Sequence, residues 1–303
     1  MAGGGEGVGY IIRALVANFL IACAKGVGAF ITGSGAMLAE TLHSLSDCAN
    51  QLLLLLGVKR SKKPAYAAHP LGYGRNLYFW SFMVAMLLFL GGGAYSVYEG
   101  IHKLQHPEPL DRPYVAVIIL GFALVIEAWA MMGAVKAINQ RKGNRTLWRY
   151  LRESKDSDLV VIFGEDLAAV MGLALALIAV LIAWGTGNVA FDAIGTLCIG
   201  AVLIGVAVFL AVEVKSLLLG EAADPTLLAM VEQVAAEDVR ISRVLRALAV
   251  QQGPGEVMLA CKLQFKNDLT GDAMVAAINE FEVRLQTKVP EIKWCFVEPD
   301  HAD

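Results

Sequence analysis

Residues 36–58 read AMLAETLHSLSDCANQLLLLLGV, and this stretch decides the fold. As a helix it is long enough to cross a bilayer, which takes about 20 residues, and it runs out into Lys59 and Arg60. Yet Glu40, His43 and Asp47 lie inside it. Ionisable groups at membrane depth are costly, so each is a candidate functional residue. His43 and Asp47 are four apart and share one helix face, where an imidazole and a carboxylate can hold one borderline metal ion together. The competing reading of the pair is a buried hydrogen bond with a structural role.

Outward from this segment the same apolar texture recurs. Six stretches of spanning length run approximately over 8–31, 36–58, 77–101, 113–135, 159–184 and 189–214. Of the 303 residues 57% are hydrophobic and only 17% charged, with a mean hydropathy of +0.58. Soluble domains carry about one quarter charged residues, so the composition is that of a membrane protein. Residues 217–303 hold 14 of the 28 acids and 8 of the 25 bases, whereas residues 1–216 carry an excess of bases. A single soluble globule, a disordered chain and a nucleic-acid binder driven by a basic surface are excluded. The chain reads as a transmembrane domain over 1–216 followed by an acidic soluble domain over 217–303.

Loop charges orient the spans. The segment after span two carries Lys59, Arg60, Lys62, Lys63 and Arg75. The segment after span four carries Lys136, Arg141, Lys142, Arg145, Arg149, Arg152 and Lys155. The opposite loops carry only Lys103 and Arg112. The positive-inside rule places both termini on the cytoplasmic side, or the matrix side in an organelle. The N-terminal residues lack the basic region of a signal peptide and an Arg-rich, Ser-rich transit sequence, which predicts a retained first span and a bacterial inner membrane. Five cysteines without a CxxC give no disulfide framework and no zinc-finger spacing.

The tail reads helix, strand, strand, helix, strand. Asp224-Pro225 opens a helix to about residue 237. Strands are predicted over 241–251 and 256–266, split by Gly253-Pro254-Gly255, with Leu263 alternating against Lys262 and Gln264. A helix over about 271–288 and a strand over 292–297 complete a small α+β sandwich.

Depth groups the buried charges. Asp47 lies 12 residues before Lys59, and Asp166 lies 11 residues after Lys155. At 1.5 Å per residue both sit roughly 17 Å from those cations, near mid-membrane on different helices. Two carboxylates at one level repel and desolvate badly, and a divalent cation or protons resolve both problems. That is the logic of a transport site. Lys25 is read as a counter-ion, Glu127 as either a proton relay or a hydrogen-bonded Glu, and Glu40 as a partner of Lys25 or an aid to ion release. Cys48 is read as core, and Asp192 and Glu99 as solvated residues at the outer interface. HExxH and Walker A sequences are absent, which leaves a metalloprotease or an ATP-driven pump without support.

The stretch Gly33-Ser34-Gly35-Ala36-Met37-Leu38-Ala39-Glu40-Thr41-Leu42-His43-Ser44-Leu45-Ser46-Asp47 resembles the second helix of the cation diffusion facilitators, the zinc-transporter family. His69-Pro70-Leu71-Gly72-Tyr73-Gly74-Arg75 is similar to the family's following loop, and residues 217–224 to its junction with the soluble domain. Gly164-Glu165-Asp166-Leu167-Ala168-Ala169-Val170 looks like the branch that contains the mitochondrial zinc transporter. The resemblance implies an α-helical membrane protein with six transmembrane helices and a C-terminal ferredoxin-like cytoplasmic domain. It further implies a homodimeric antiporter that exchanges a divalent metal for protons, and not an enzyme. Zn²⁺ is then the expected substrate, with Mn²⁺, Fe²⁺, Co²⁺ or Ni²⁺ as alternatives, and no cofactor and no nucleic acid are expected.

In such a protein the ion is held by residue pairs four apart on spans two and five. His43 and Asp47 match the first pair. Asp166 matches the second member of the other, with Gly172 at the family's spacing after it. The first member would be Ile162, which cannot bind metal. Glu165, about 60° round the helix from Ile162, is the proposed replacement. The expected metal residues are therefore His43, Asp47 and Asp166, with Glu165 as fourth ligand or hydrogen-bonded behind them. His69 and His301 are left without an assigned metal. The reading from another class is a membrane-anchored interaction protein whose buried charges form a structural network.

Overall fold

The protein, in a computed structural model, is described over the backbone of residues 4–61, 63–153 and 157–301, and over the side chains of residues 15–301 except 17, 54, 58, 62 and 153–158. Arg13, Lys62 and Lys155 fall outside the described side chains. The chain divides into two compact units: residues 1–57 with 79–214, and residues 58–78 with 215–303.

The first unit is helical. In order run α1 (Gly4–Thr32), α2 (Gly35–Ser61), α3 (Asn76–Leu87), a π-helical segment (Leu88–Ala94), α4 (Tyr95–Gln105), α5 (Pro113–Arg141), the short α6 (Leu147–Glu153), α7 (Ser157–Thr186) and α8 (Ala190–Leu219). Among the described residues four segments are long and apolar enough to cross a membrane: Asn76–Gln105, Pro113–Arg141, Leu159–Thr186 and Ala190–Leu219. The six apolar stretches of the sequence all become helix. However, α1 is apolar only over the shorter Asn18–Thr32, and α2 is diluted by Glu40, His43, Asp47, Asn50 and Gln51.

Capping explains where α1 stops and α2 starts. Gly33 adopts φ +64°, a left-handed conformation that glycine takes without strain. The Thr32 hydroxyl donates back to the Gly28 carbonyl at 2.7 Å. The Ser34 hydroxyl accepts from the Met37 N–H at 3.2 Å, as an N-cap should. Inside the bundle α5 packs on α7 and on α1. The π-helical segment and α4 cross α8 at backbone contact. A side chain on Gly200 would stand about 3 Å from the Gly93 carbonyl and the Val97 nitrogen.

The second unit carries α9 (Pro225–Ala236), β1 (Ile241–Gly253), β2 (Glu256–Phe265), α10 (Gly271–Lys288) and β3 (Ile292–Pro299). The sheet has the order β1-β2-β3, antiparallel between β1 and β2 and parallel between β2 and β3. Asp224 caps α9 by accepting from the Thr226 N–H at 2.9 Å, with Pro225 in the first turn. Thr270 caps α10 in the same way. Alternate β2 residues Val257, Leu259, Cys261, Leu263 and Phe265 are buried with Val231, Val234, Phe281 and Leu285, as a strand with one face on a core requires. Residues 58–78, which the sequence presents as a plain loop between spans, fold with this tail. Gly74 lies against Gln252, Gly253 and Glu256, and the His69 ring stacks on Tyr73 with centroids 4.5 Å apart.

Candidate functional site

The site is built on one face of α2. Positions 40, 43, 47, 50 and 51 fall within an arc of about 100° on a helix of 3.6 residues per turn. Their polar atoms lead in two directions.

One set is paired. Lys25 of α1 is fully buried and donates to Glu40 Oε2 at 3.3 Å and to Ser44 Oγ at 2.8 Å. The expected counter-ion role thus has a definite partner, one turn of helix from His43. Room for the Glu40 carboxylate comes from α7, where Gly172 has no side chain. A Cβ at Gly172 would collide with Glu40 Oε1. Asn50, also fully buried, donates from Nδ2 to Glu165 Oε1 at 2.7 Å and ties α2 to α7.

The other set has no hydrogen-bond partner. Both ring nitrogens of His43, Asp47 Oδ1, Asn50 Oδ1, Gln51 Oε1 and Glu40 Oε1 are shut from solvent and unpaired among the described residues. His43 Nδ1 and Asp47 Oδ1 stand 3.7 Å apart, too far for a hydrogen bond and close enough for one ion to serve both. Buried polar atoms are ordinarily satisfied, so several orphans on one face point to a ligand.

Glu165 interacts electrostatically with Asp47 and Asp166, and Glu127 of α5 with both Asp47 and Asp166. Glu127 lies on α5, which packs on α7. Glu165 is buried and Asp166 partly so, whereas Ile162, where the resemblance leads one to expect a ligand, is 42% exposed. Among the described residues no three His, Cys, Asp or Glu side chains converge tightly enough to enclose a metal. His43 is brought to Asp47, while Glu165 is held by Asn50. Asp166 belongs to the same electrostatic cluster.

One expectation is corrected. Asp192, read from sequence as a solvated outer residue, is 1% exposed. Its carboxylate accepts from Ser34 Oγ at 2.5 Å and from the Gly35 N–H at 2.7 Å. An acid at the start of α2 satisfies free N–H groups and suits the positive end of the helix dipole. Lys103 reinforces it, bonding the Gly33 carbonyl and standing 3.8 Å from Asp192. The sequence reading also passed over Asn50 and Gln51. Their signal was available: two amides inside an apolar span, about a turn from Asp47 and flanking it on the same side of the helix.

A family profile described as the cation efflux transmembrane domain matches residues 11–219. The human protein named proton-coupled zinc antiporter SLC30A9, mitochondrial, is 30% identical over 280 residues, covering 89% of this chain and 49% of the relative. Metal tolerance protein C4 of Arabidopsis thaliana is 28% identical over 261 residues, covering 86% of this chain and 57% of the relative. Magnetosome protein MamM of Paramagnetospirillum magneticum is 33% identical over 111 residues, which is 37% of this chain and 34% of that protein. The chain spans about half the length of the mitochondrial relatives it matches. With a match that runs through both α2 and α7 and over most of its length, the chain belongs to the cation efflux family, the cation diffusion facilitators.

Proposed function

We propose that the protein is a secondary transporter that moves a divalent metal ion, Zn²⁺ first among candidates, out of the cytoplasm or matrix in exchange for protons. The observation that carries this reading is the pair His43 and Asp47 inside an apolar bundle, whose ring nitrogens and Oδ1 have no hydrogen-bond partner among the described residues, with Asp166 and Glu165 in electrostatic reach. The ion sheds water onto His43, Asp47 and Asp166, with Glu165 beside them. Asp47, Asp166 and Glu165 together outweigh a divalent charge by one, and Lys25 is already matched by Glu40. Protons therefore complete the balance and reload the carboxylates and His43 when the bundle resets. One imidazole with oxygen donors suits Zn²⁺ and also admits Mn²⁺, Fe²⁺, Co²⁺ or Ni²⁺. The relatives' printed names, proton-coupled zinc antiporter and metal tolerance protein, support zinc and proton coupling.

The architecture belonging to this proposal has six spans, with α1 and α2 as the two polar members, over residues 1–216. A ferredoxin-like domain over 217–303 follows, in a homodimer with both termini on the cytoplasmic or matrix side. The mitochondrial relatives argue against reading a bacterial membrane from the N-terminus alone.

The test is flux of Zn²⁺ into proteoliposomes with a trapped indicator and an imposed pH gradient. Wild type should show gradient-dependent flux, which Asp47→Ala and Asp166→Ala should abolish at equal folded incorporation. A second reading, a membrane-anchored interaction protein, draws on the two internal pairs Lys25–Glu40 and Asn50–Glu165. It predicts that Asp47→Ala lowers folded yield and that wild type moves no divalent ion.

A further inference from the structure

The Asn50–Glu165 contact fixes more than the two helices. A carboxylate accepts, so the Asn50 amide must present its NH₂ to Glu165 Oε1, at 2.7 Å. The planar carboxamide then turns its oxygen elsewhere. That oxygen is buried and has no partner among the described residues, and neither has Oε1 of the next residue, Gln51. Asn50 itself is fully buried. Leaving a buried acceptor empty is costly, and here two neutral oxygens bear that cost one turn from Asp47. They continue the file of unpaired acceptors on α2, displaced about 5 Å along the axis toward Lys59.

We infer that Asn50 and Gln51 form a second, weaker cation station on α2, which takes a partly hydrated divalent ion before it reaches His43 and Asp47. The inference rests on the metal-transport reading of the same site. Neutral carboxamide oxygens solvate a cation as dipoles and keep it hydrated, which suits transient holding. Passage needs binding favourable enough to admit the ion and weak enough to release it. Asn50 is pre-oriented by Glu165, so the station and the carboxylate cluster share one hinge residue. Gln51 contributes an oxygen without that second duty, which makes it the cleaner position to test.

The experiment measures Zn²⁺ flux in proteoliposomes against Zn²⁺ concentration for wild type, Gln51→Met and Gln51→Glu. Gln51→Met should raise the half-saturating concentration about tenfold, more than the maximal rate falls, and Gln51→Glu, which restores an oxygen, should bring it back. An unchanged half-saturation, or a loss confined to maximal rate, overturns the station while leaving the transport reading intact. Equilibrium titration of Zn²⁺ onto the full-length Asp47→Ala protein gives an independent readout. It should retain one weak equivalent that Gln51→Met on that background removes. No residual equivalent, or one insensitive to Gln51, also overturns the inference, and it does so even if wild type proved silent in flux. If Gln51→Met fails to fold, Gln51→Ser carries the same comparison.

Discussion

Buried charge is handled in opposite ways on α2 and in the tail. Asp238, 5% exposed, takes hydrogen bonds from Arg240 Nε at 2.9 Å and Arg240 Nη2 at 2.8 Å, and a further one from Arg284. Arg240 also reaches Glu280. Every charge there has an opposite charge in contact, and both arginines keep part of their surface in water. On α2, Glu40 is matched in that way by Lys25 of α1, while among the described residues His43, Asp47, Asn50 and Gln51 keep atoms with no hydrogen-bond partner. The tail spends its polar groups on holding itself together. The α2 face withholds them, as a surface must if it is to exchange one bound cation for another.

That contrast can be broken first at its largest effect. Asp47→Ala and Asp166→Ala should eliminate metal flux with little loss of assembled protein, since neither removes a matched ion pair. Flux assays paired with size-exclusion yield check both halves. Lys25→Met is the opposite case. It leaves Glu40 buried without its cation, which should cost about 3–5 kcal/mol, read as a lowered unfolding midpoint in detergent. Lys25→Met with Glu40→Gln should recover much of that loss in a double-mutant cycle.

The tail offers the next step down. Asp238→Asn should destabilise the second unit by about 1.5–3 kcal/mol, the range for hydrogen bonds to charged groups, detected by faster amide exchange in β1. The Arg240 side chain, then the Arg240 backbone N–H and Arg284, hold the Asp238 carboxyl well below the usual carboxylate range despite its burial. A lowered folded value means the stabilisation is fully present above the unfolded carboxyl value near pH 4 and drains away as pH falls below it. Wild type should therefore lose protection in β1 as pH drops below about 4, and Asp238→Asn should flatten that slope. Smallest is Gly172→Ala. The added methyl must displace the Glu40 carboxylate, an overpacking cost of about 1–2 kcal/mol, visible as a modest drop in thermal midpoint.

Local signals in the sequence were dependable. Asp224-Pro225, Gly253-Pro254-Gly255 and the alternation around Leu263 located the tail elements, because caps, turns and a period of two are written in adjacent residues. The charged face of α2 was legible for the same reason, as helical spacing alone brings His43 to Asp47. Long-range choices were not. Nothing next to Asp192 announces that it caps a helix 157 residues away. Lys25 could have matched any of several acids, and it was Gly172 on another helix that made space for Glu40. The attachment of residues 58–78 to the tail depends on Gly74 meeting the β1–β2 turn, a fit of two backbones that no side-chain pattern encodes. Asn50 was overlooked because an uncharged amide in an apolar run looks inert until its partner is known.

The π-helical segment Leu88–Ala94 has a consequence for timing round a helix axis. A wider turn absorbs residues that an α-helix would spend on rotation, so it resets the angular phase of everything after it. Lys103, in the last turn of α4 and downstream of that reset, reaches both the Gly33 carbonyl and Asp192. Removing one residue from Gly91-Gly92-Gly93 would leave the span still long enough for a bilayer, yet turn Lys103 by about 100° away from its partners. The glycines thus act as a vernier: they set the bearing at which the span arrives rather than the distance it covers.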